Sequence, residues 1–131
     1  MTTPPRRVLV VDDDPAQREL FRRTLVNAGY DVSLAPDGEQ AILALQKSVP
    51  DALLLDLGLP GISGLEVVRR VRAMPAIAHL RILIVTGNVE QAAHQEAADL
   101  GCAVCLFKPF DPSSLPGLVA WLTAPTDSAA E

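Results

Sequence analysis

Five short runs of aliphatic residues punctuate the chain, at 7–11, 30–35, 52–57, 81–86 and 103–108, and between them the apolar positions recur at helical spacing. Short β-favouring runs that alternate with helical stretches predict βαβ units and a parallel sheet. The third and fourth runs are almost continuously aliphatic. Strands covered by helices on both faces read this way, so these two belong in the middle of the sheet.

The helices carry their own punctuation. Asp14-Pro15-Ala16-Gln17 opens the first, with Asp14 as cap, Pro15 suited to the first helical position and Gln17 placed to close a capping box. This helix is expected to reach about Ala28, with Leu20, Phe21, Leu25 and Ala28 on its inner face and Gly29 as its stop. A second helix is expected over 38–47, with Ala41, Ile42 and Leu45 facing in. Ser63 and Glu66 form another capping box, opening a helix through Val67, Val68 and Val71 that ends before Pro75. A fourth spans about 90–100, from Glu90 to the stop at Gly101. The fifth must start late, near Leu115, and be short, because proline inside a helix costs ~3 kcal/mol and Pro116 and Gly117 stand where its first turns would be.

At 131 residues the chain has the size of one domain. Residues 6–123 are expected to form it, with 1–5 a disordered segment and 124–131 a flexible tail of small and polar residues. The chain is 49% hydrophobic but only 4% aromatic, so Val, Leu, Ile and Ala must build the core. A net charge of −5 argues against direct nucleic-acid binding, which needs basic surface to meet phosphates. Uninterrupted apolar runs before an aspartate reach only four or five residues, against the ~20 that cross a bilayer, so no membrane association is expected. The amino terminus lacks the apolar stretch of a secretory leader, and a cytoplasmic location follows as an expectation. Cys102 and Cys105 stand in CxxC spacing, but along a strand their Cα atoms lie ~10 Å apart, beyond the ~7 Å a disulfide spans. Two thiols in a reducing compartment are the expected reading.

In open parallel sheets the functional groups gather outside the carboxyl ends of the strands. Here those ends carry Asp12-Asp13-Asp14, Asp56, Thr86-Gly87 and Lys108-Pro109. Carboxylates converging at about 5 Å repel by roughly 3 kcal/mol per pair at an effective dielectric near 20, so the arrangement asks for a cation. Mg²⁺ suits it, taking a few carboxylate oxygens and leaving positions for water and phosphoryl oxygens. Thr86 offers a hydroxyl and Lys108 a fixed charge, the donors that an attached phosphoryl group needs. Taken singly, Asp14 reads as a helix cap, Lys108 as a solvated lysine and Thr86 as a β-favouring residue. Asp56 resists such a reading, since an acid that ends an aliphatic central strand has no packing rationale.

These segments together resemble the receiver domains of two-component response regulators, over residues 6 to about 123. Val8-Leu9-Val10-Val11-Asp12-Asp13-Asp14-Pro15 matches the acidic motif of strand 1. Pro50-Asp51-Ala52-Leu53-Leu54-Leu55-Asp56-Leu57-Gly58-Leu59-Pro60 with Gly64 matches the phosphoacceptor strand and loop. Ile82-Leu83-Ile84-Val85-Thr86-Gly87 matches the hydroxyl strand, and Lys108-Pro109-Phe110 the lysine motif. The resemblance implies a flavodoxin-like, doubly wound five-stranded parallel sheet of order 2-1-3-4-5, with helices on both faces. It implies that Asp56 accepts a phosphoryl group from a phosphohistidine on a histidine kinase or histidine phosphotransfer domain. Asp13, Asp56 and the carbonyl of Gly58 would bind Mg²⁺ directly and Asp12 through water, Thr86 would hydrogen-bond the phosphoryl group, and Lys108 would pair with it across a cis peptide to Pro109. A module of this kind assists its own phosphorylation and dephosphorylation without being an enzyme in the usual sense. It changes its binding to a downstream effector protein or domain on phosphorylation, and is expected as a monomer or weak homodimer.

One position departs from the family. Receivers usually keep Tyr or Phe three residues before the lysine, a ring that turns inward when the threonine moves, and here Cys105 stands there. Phe107 is the nearest ring, two positions on and so on the same strand face. Three other functions fit less well. A phosphoaspartyl phosphatase would carry a second acid two residues beyond the nucleophile, where this chain has Gly58. A flavin-binding domain would not set three aspartates against an FMN phosphate. A receiver-shaped scaffold without phosphoryl chemistry would not need all five chemical positions intact.

Overall fold

The structure, a computed structural model, describes residues 5–87, 91–103, 105–108 and 111–124. Glu90, Pro109 with its expected cis peptide, the Cys105 side chain, and most of the two expected terminal segments lie outside the described residues.

Five strands, β1 (Arg7–Val11), β2 (Asp31–Ala35), β3 (Ala52–Leu55), β4 (Arg81–Thr86) and β5 (Cys105–Phe107), form one parallel sheet in the order β2-β1-β3-β4-β5. The helices α1 (Pro15–Asn27), α2 (Gly38–Lys47), α3 (Gly64–Ala73), α4 (Gln91–Asp99) and α5 (Leu115–Thr123) connect or follow them. The period-two alternation of each strand sorts the core into two layers. Leu9, Val11, Leu53, Leu55, Ile82 and Ile84 face α2, α3 and α4, where they meet Ala41, Leu45, Val67, Val71 and Ala97. Val8, Val10, Ala52, Leu54, Leu83 and Val85 face α1 and α5, where they meet Phe21, Leu25, Leu115, Val119 and Leu122. Each fully buried aliphatic side chain stabilises the fold by about 1.5–3 kcal/mol, and here both faces of β1, β3 and β4 contribute. This is the doubly wound architecture expected of the chain. Among the described residues no helix is long and apolar enough to cross a membrane.

Differences from the expected elements lie at their ends. The run from Tyr30 loses its first residue to the end of α1: Gly29, at φ +98°, donates to Val26 O at 3.0 Å, and Tyr30 N–H donates to Leu25 O at 3.0 Å. That is a Schellman cap, and it leaves Ala28 as an exposed cap residue rather than a core one. β3 is assigned only to Ala52–Leu55, yet Asp56 N–H still reaches Val11 O at 3.1 Å, and it is Leu57 that turns toward α3, its carbonyl accepting from Gly64 N–H at 3.0 Å. β5 is assigned only to Cys105–Phe107, yet Ala103 N–H reaches Ile82 O at 2.8 Å and Lys108 N–H reaches Thr86 O at 3.0 Å, so pairing extends to both expected ends. Cys102 N–H donates to Ala97 O at 3.0 Å, so Cys102 completes the turn that closes α4, and the pairing of the last strand starts at Ala103 just beyond it. α2 occupies the expected 38–47, and α5 begins at Leu115 behind a 3₁₀ turn at Pro112–Ser114. Pro116 then sits in the first turn, where its missing N–H breaks no helical bond.

Asp14 caps α1 as expected, accepting from Ala16 N–H at 2.9 Å and Gln17 N–H at 3.4 Å. The reciprocal half of the box does not form, since Asp14 N–H donates to Asp12 Oδ1 instead. Ser63 likewise accepts from Glu66 N–H at 3.1 Å, while the Glu66 carboxylate is drawn to Arg69 and Arg70. Hydrogen bonds from the two arginines hold the Glu66 carboxyl below the usual glutamate range.

Gly64 lets α3 begin directly against the end of β3. A Cβ there would lie 2.2 Å from the Asp56 carbonyl oxygen and 2.6 Å from the Leu57 Cα, both backbone atoms that cannot rotate away. Gly64→Ala should therefore destabilise the fold by about 1–3 kcal/mol. Gly117 in α5 has nothing within 4 Å of its added Cβ, and Gly117→Ala should stabilise by roughly 0.5–1 kcal/mol. Urea unfolding of the two variants should move the midpoint in opposite directions.

Candidate functional site

The sheet delivers the polar residues to one place. Val11 pairs with Leu55, so the next residues of the two strands, Asp12 and Asp56, emerge side by side at their carboxyl ends. Thr86 is the last residue of β4 and pairs with Phe107, which brings Lys108 to the same rim. Asp12, Asp13, Asp56, Thr86 and Lys108 line an open cleft of about 550 Å³ together with Gly58. Every residue singled out from the sequence for chemistry is therefore at this cleft.

The carboxylate of Asp56 is 8% exposed and fully engaged. Its Oδ1 accepts from the Thr86 hydroxyl at 2.7 Å and from Gly58 N–H at 2.9 Å, and its Oδ2 accepts from Lys108 Nζ at 3.0 Å. Asp12, only 1% exposed, accepts from the same Nζ at 2.5 Å through Oδ2 and from Asp14 N–H at 2.9 Å through Oδ1. Lys108 is thus not a solvated lysine but the shared counter-ion of two buried acids, and Thr86 is fully buried with its hydroxyl aimed at one of them. Burial acts against the Lys108 charge. Its hydrogen bonds to Asp12 and Asp56, and the attraction of both carboxylates, outweigh that effect and raise its pKa above the ordinary lysine value. Asp13 stands exposed at the mouth, and Asp14 both borders the cleft and caps α1.

Asp12, Asp13 and Asp56 each offer one carboxylate oxygen, and those atoms lie within 4.8 Å of one another. A donor set of hard oxygens, with neither nitrogen nor sulfur, suits Mg²⁺. The open side of the cleft leaves room for water or an oxyanion. A cation entering here shares Asp12 and Asp56 with the Lys108 ammonium.

Size alone does not single out this cleft. Another of about 610 Å³ opens at the opposite end of the sheet beside Arg72 and Arg81. There the Arg72 guanidinium is spent on the carbonyls of Ala78, Leu80, Leu100 and Gly101, and Arg81 on those of Leu122 and Ala124, so both arginines tie chain ends together.

Two residues not singled out for chemistry adjoin the site. Arg18, one turn into α1, donates to the Asp12 carbonyl at 2.7 Å, which only the folded turn reveals. His94 of α4 stacks on Phe107, with ring centroids 4.8 Å apart and planes 19° apart. Phe107 is 51% exposed and points to the α4 side, as Leu106 packs on the α1 and α5 side.

Residues 8–120 match the family described as response regulator receiver domain. The chain is 39% identical over 130 residues to the response regulator MprA of Mycolicibacterium vanbaalenii, covering 97% of this chain and 55% of that protein. It is 36% identical over 115 residues to the DNA-binding response regulator MtrA of Mycolicibacterium smegmatis, covering 88% of this chain and 49% of that one. The chain thus spans about half the length of these curated relatives. Among solved structures, the chemotaxis response regulator CheY4 of Vibrio cholerae superposes with a TM-score of 0.83 at 32% identity, covering 90% of this chain and 98% of that one. A response regulator receiver protein from Pseudomonas putida gives 0.85 at 32% identity, covering 92% and 99%.

The raised pKa of Lys108 has a measurable sign. A group whose pKa is higher folded than unfolded stabilises the fold fully below its unfolded value, and that contribution is lost as pH rises through the folded value. The metal-free protein should therefore lose stability as pH climbs past the ordinary lysine value of 10.5. Denaturant midpoints of wild type and Lys108→Met, measured between neutrality and pH 11, should keep a constant gap up to about pH 10 and begin to draw together above 10.5, where the unfolded chain loses its proton first. A gap that stays constant to the end of that range would show that the ion pairs do not stabilise the fold.

Proposed function

Because the chain belongs to the response regulator receiver domain family, we propose that it accepts a phosphoryl group on Asp56 from a phosphohistidine of a histidine kinase or phosphotransfer domain. The observation that carries this reading is the set of donors converging on Asp56, namely the Thr86 hydroxyl, the Gly58 N–H and the Lys108 ammonium. In the transfer, an Asp56 carboxylate oxygen forms the new bond to phosphorus. The bond from phosphorus to the donor imidazole nitrogen breaks, and its electron pair leaves with the ring.

Asp13, Asp56 and the Gly58 carbonyl would hold Mg²⁺ directly and Asp12 through water, and the ion would supply the positive charge that lets two anions meet. The chain's own residues do the rest. Thr86 and Lys108 rest on the carboxylate before transfer and turn to the phosphoryl oxygens after it, so no donor has to be brought from elsewhere. Lys108 enters the transfer as an ammonium, its pKa being raised from an already high ordinary value. Gly58 leaves the approach to Asp56 open, for an added Cβ would meet only Asp56 Oδ1, at 3.6 Å. Water can then reach the phosphorus, and the domain assists its own dephosphorylation as well as its phosphorylation. We place this activity in the cytoplasm, in a monomer or weak homodimer whose binding to an effector changes on phosphorylation.

Asp56→Asn should abolish labelling by acetyl phosphate while the fold persists, and a labelled variant would exclude Asp56 as the acceptor. Wild-type phosphoprotein should decay unaided at neutral pH with Mg²⁺ present. A lifetime of many hours would overturn the open-water reading of Gly58.

The switch has a testable shape as well. Thr86 should be drawn toward the phosphoryl group, which moves the neighbouring loops. Without the usual ring at Cys105, the response of the α4, β5 and α5 face should be muted, with the stacked Phe107 and His94 as its route outward. An amide shift map with beryllofluoride and Mg²⁺ should show the largest changes over 56–64 and 86–90, changes at 94 and 107, and small ones over 95–103 and 111–123. Uniform shifts across all of these would rule out the muted response.

A further inference from the structure

We propose that Arg18 is a positioning residue of the acidic site, holding the turn between β1 and α1 in the shape that aims Asp12 and Asp13. The proposal rests on the reading of that site as a Mg²⁺ and phosphoryl centre.

Asp12 is the first residue beyond the β1 ladder, and its polar groups can be followed one by one. Its N–H donates to Ala35 O at 3.3 Å. Its Oδ1 accepts from Asp14 N–H and its Oδ2 from Lys108. Its carbonyl has left the strand pairing that ends at Val11, and in a residue 1% exposed an orphan carbonyl is costly. Arg18 Nη1 supplies the missing donor at 2.7 Å. Arg18 N–H also makes the first bond of α1, to Asp14 O at 2.9 Å. One residue therefore grips the turn at both ends: Asp13 and Asp14 lie between the two grips, and the Asp12 side chain branches from the Cα just before the first.

Charge is not what places Arg18 there. Three aspartates lie four to six positions away, yet among the described residues no carboxylate approaches its guanidinium within 4.0 Å, and the neighbouring Arg22 and Arg23 pair with Glu19 instead. The guanidinium spends its short bond on a backbone carbonyl. The two possible roles predict opposite signs. If Arg18 acted through its charge, removing it would tighten cation binding at Asp12, Asp13 and Asp56. If it acts by holding the turn, removing it loosens the ligands and weakens cation binding.

Arg18→Met keeps the apolar stem and loses both the charge and the donor, whereas Arg18→Lys keeps the charge and a single donor. The full chain and both variants are titrated with Mg²⁺ by amide shifts, and the exchange rate of the Asp14 amide is measured in metal-free protein. Arg18→Met should bind Mg²⁺ about tenfold more weakly. Its Asp14 amide, which rests on Asp12 Oδ1, should exchange about tenfold faster while global stability changes little. Arg18→Lys should recover part of both. Unchanged or tighter Mg²⁺ binding in Arg18→Met, with Asp14 exchanging at the wild-type rate, would overturn the proposal. Failure of wild type to bind Mg²⁺ would overturn the reading of the site instead, and Asp14 exchange would still decide whether Arg18 holds the turn.

Discussion

Asp12 and Asp56 are buried side by side and share one ammonium, that of Lys108. Two carboxylates at such a separation repel by several kcal/mol unless a cation lies between them, and taking them out of water adds to the cost. The remaining parts of the site answer that constraint. Thr86 and Gly58 satisfy one oxygen of Asp56, Asp14 N–H satisfies one of Asp12, and Lys108 bridges the other two. An acidic centre so completely supplied with donors is poised for an oxyanion, because each donor that stabilises a carboxylate can serve a phosphoryl oxygen. The same saturation offsets the cost of burying the two acids.

The donors come from four different strands, so the site exists only while the sheet keeps its order. β1 and β3 must be neighbours for Asp12 and Asp56 to meet, and β5 must lie beyond β4 for Lys108 to reach them. α1 and α5 lie on one face and α2, α3 and α4 on the other, and each layer locks its strands through alternating side chains. The close approach at Gly64, where α3 starts against the backbone of Asp56 and Leu57, ties the acceptor strand to a helix that carries no chemistry itself. Arg72 performs the corresponding task at the far end, binding α3, β4 and the end of α4 through carbonyls. Arg69 adds an ion pair to Glu96 across α3 and α4. The carboxyl end of α4 is therefore anchored to α3, while His94, earlier in the helix, rests on the ring beside Lys108.

Much of this was legible in the residues alone. The aliphatic runs at 52–55 and 81–86, flanked by helical periods, point to a parallel sheet covered on both faces, because helices packed on either side bury both faces of such strands. Asp14, Ser63, Gly29 and Gly101 mark helix ends by local chemistry that needs no tertiary context. Asp56 stood out because an acid ending an aliphatic central strand has no packing role, and Asp12, Thr86 and Lys108 joined it because strand ends in such sheets converge. What the tertiary structure alone decided are the partners. Lys108 could be read as a solvated lysine until β5 set it between two buried carboxylates, and Arg18 as an ordinary helix surface residue until the turn left the Asp12 carbonyl without a ladder partner. Phe107 could be assigned a strand face, but not His94 as its neighbour, since that pairing depends on how α4 lies across β5. Glu66 and Gln17 were in place to close their capping boxes, but nearby arginines draw off the Glu66 carboxylate, and Asp12 takes the Asp14 N–H that Gln17 would reach. Periodicity and strand ends are properties of local sequence, whereas the choice among competing polar partners is made by distances that exist only once the layers have packed.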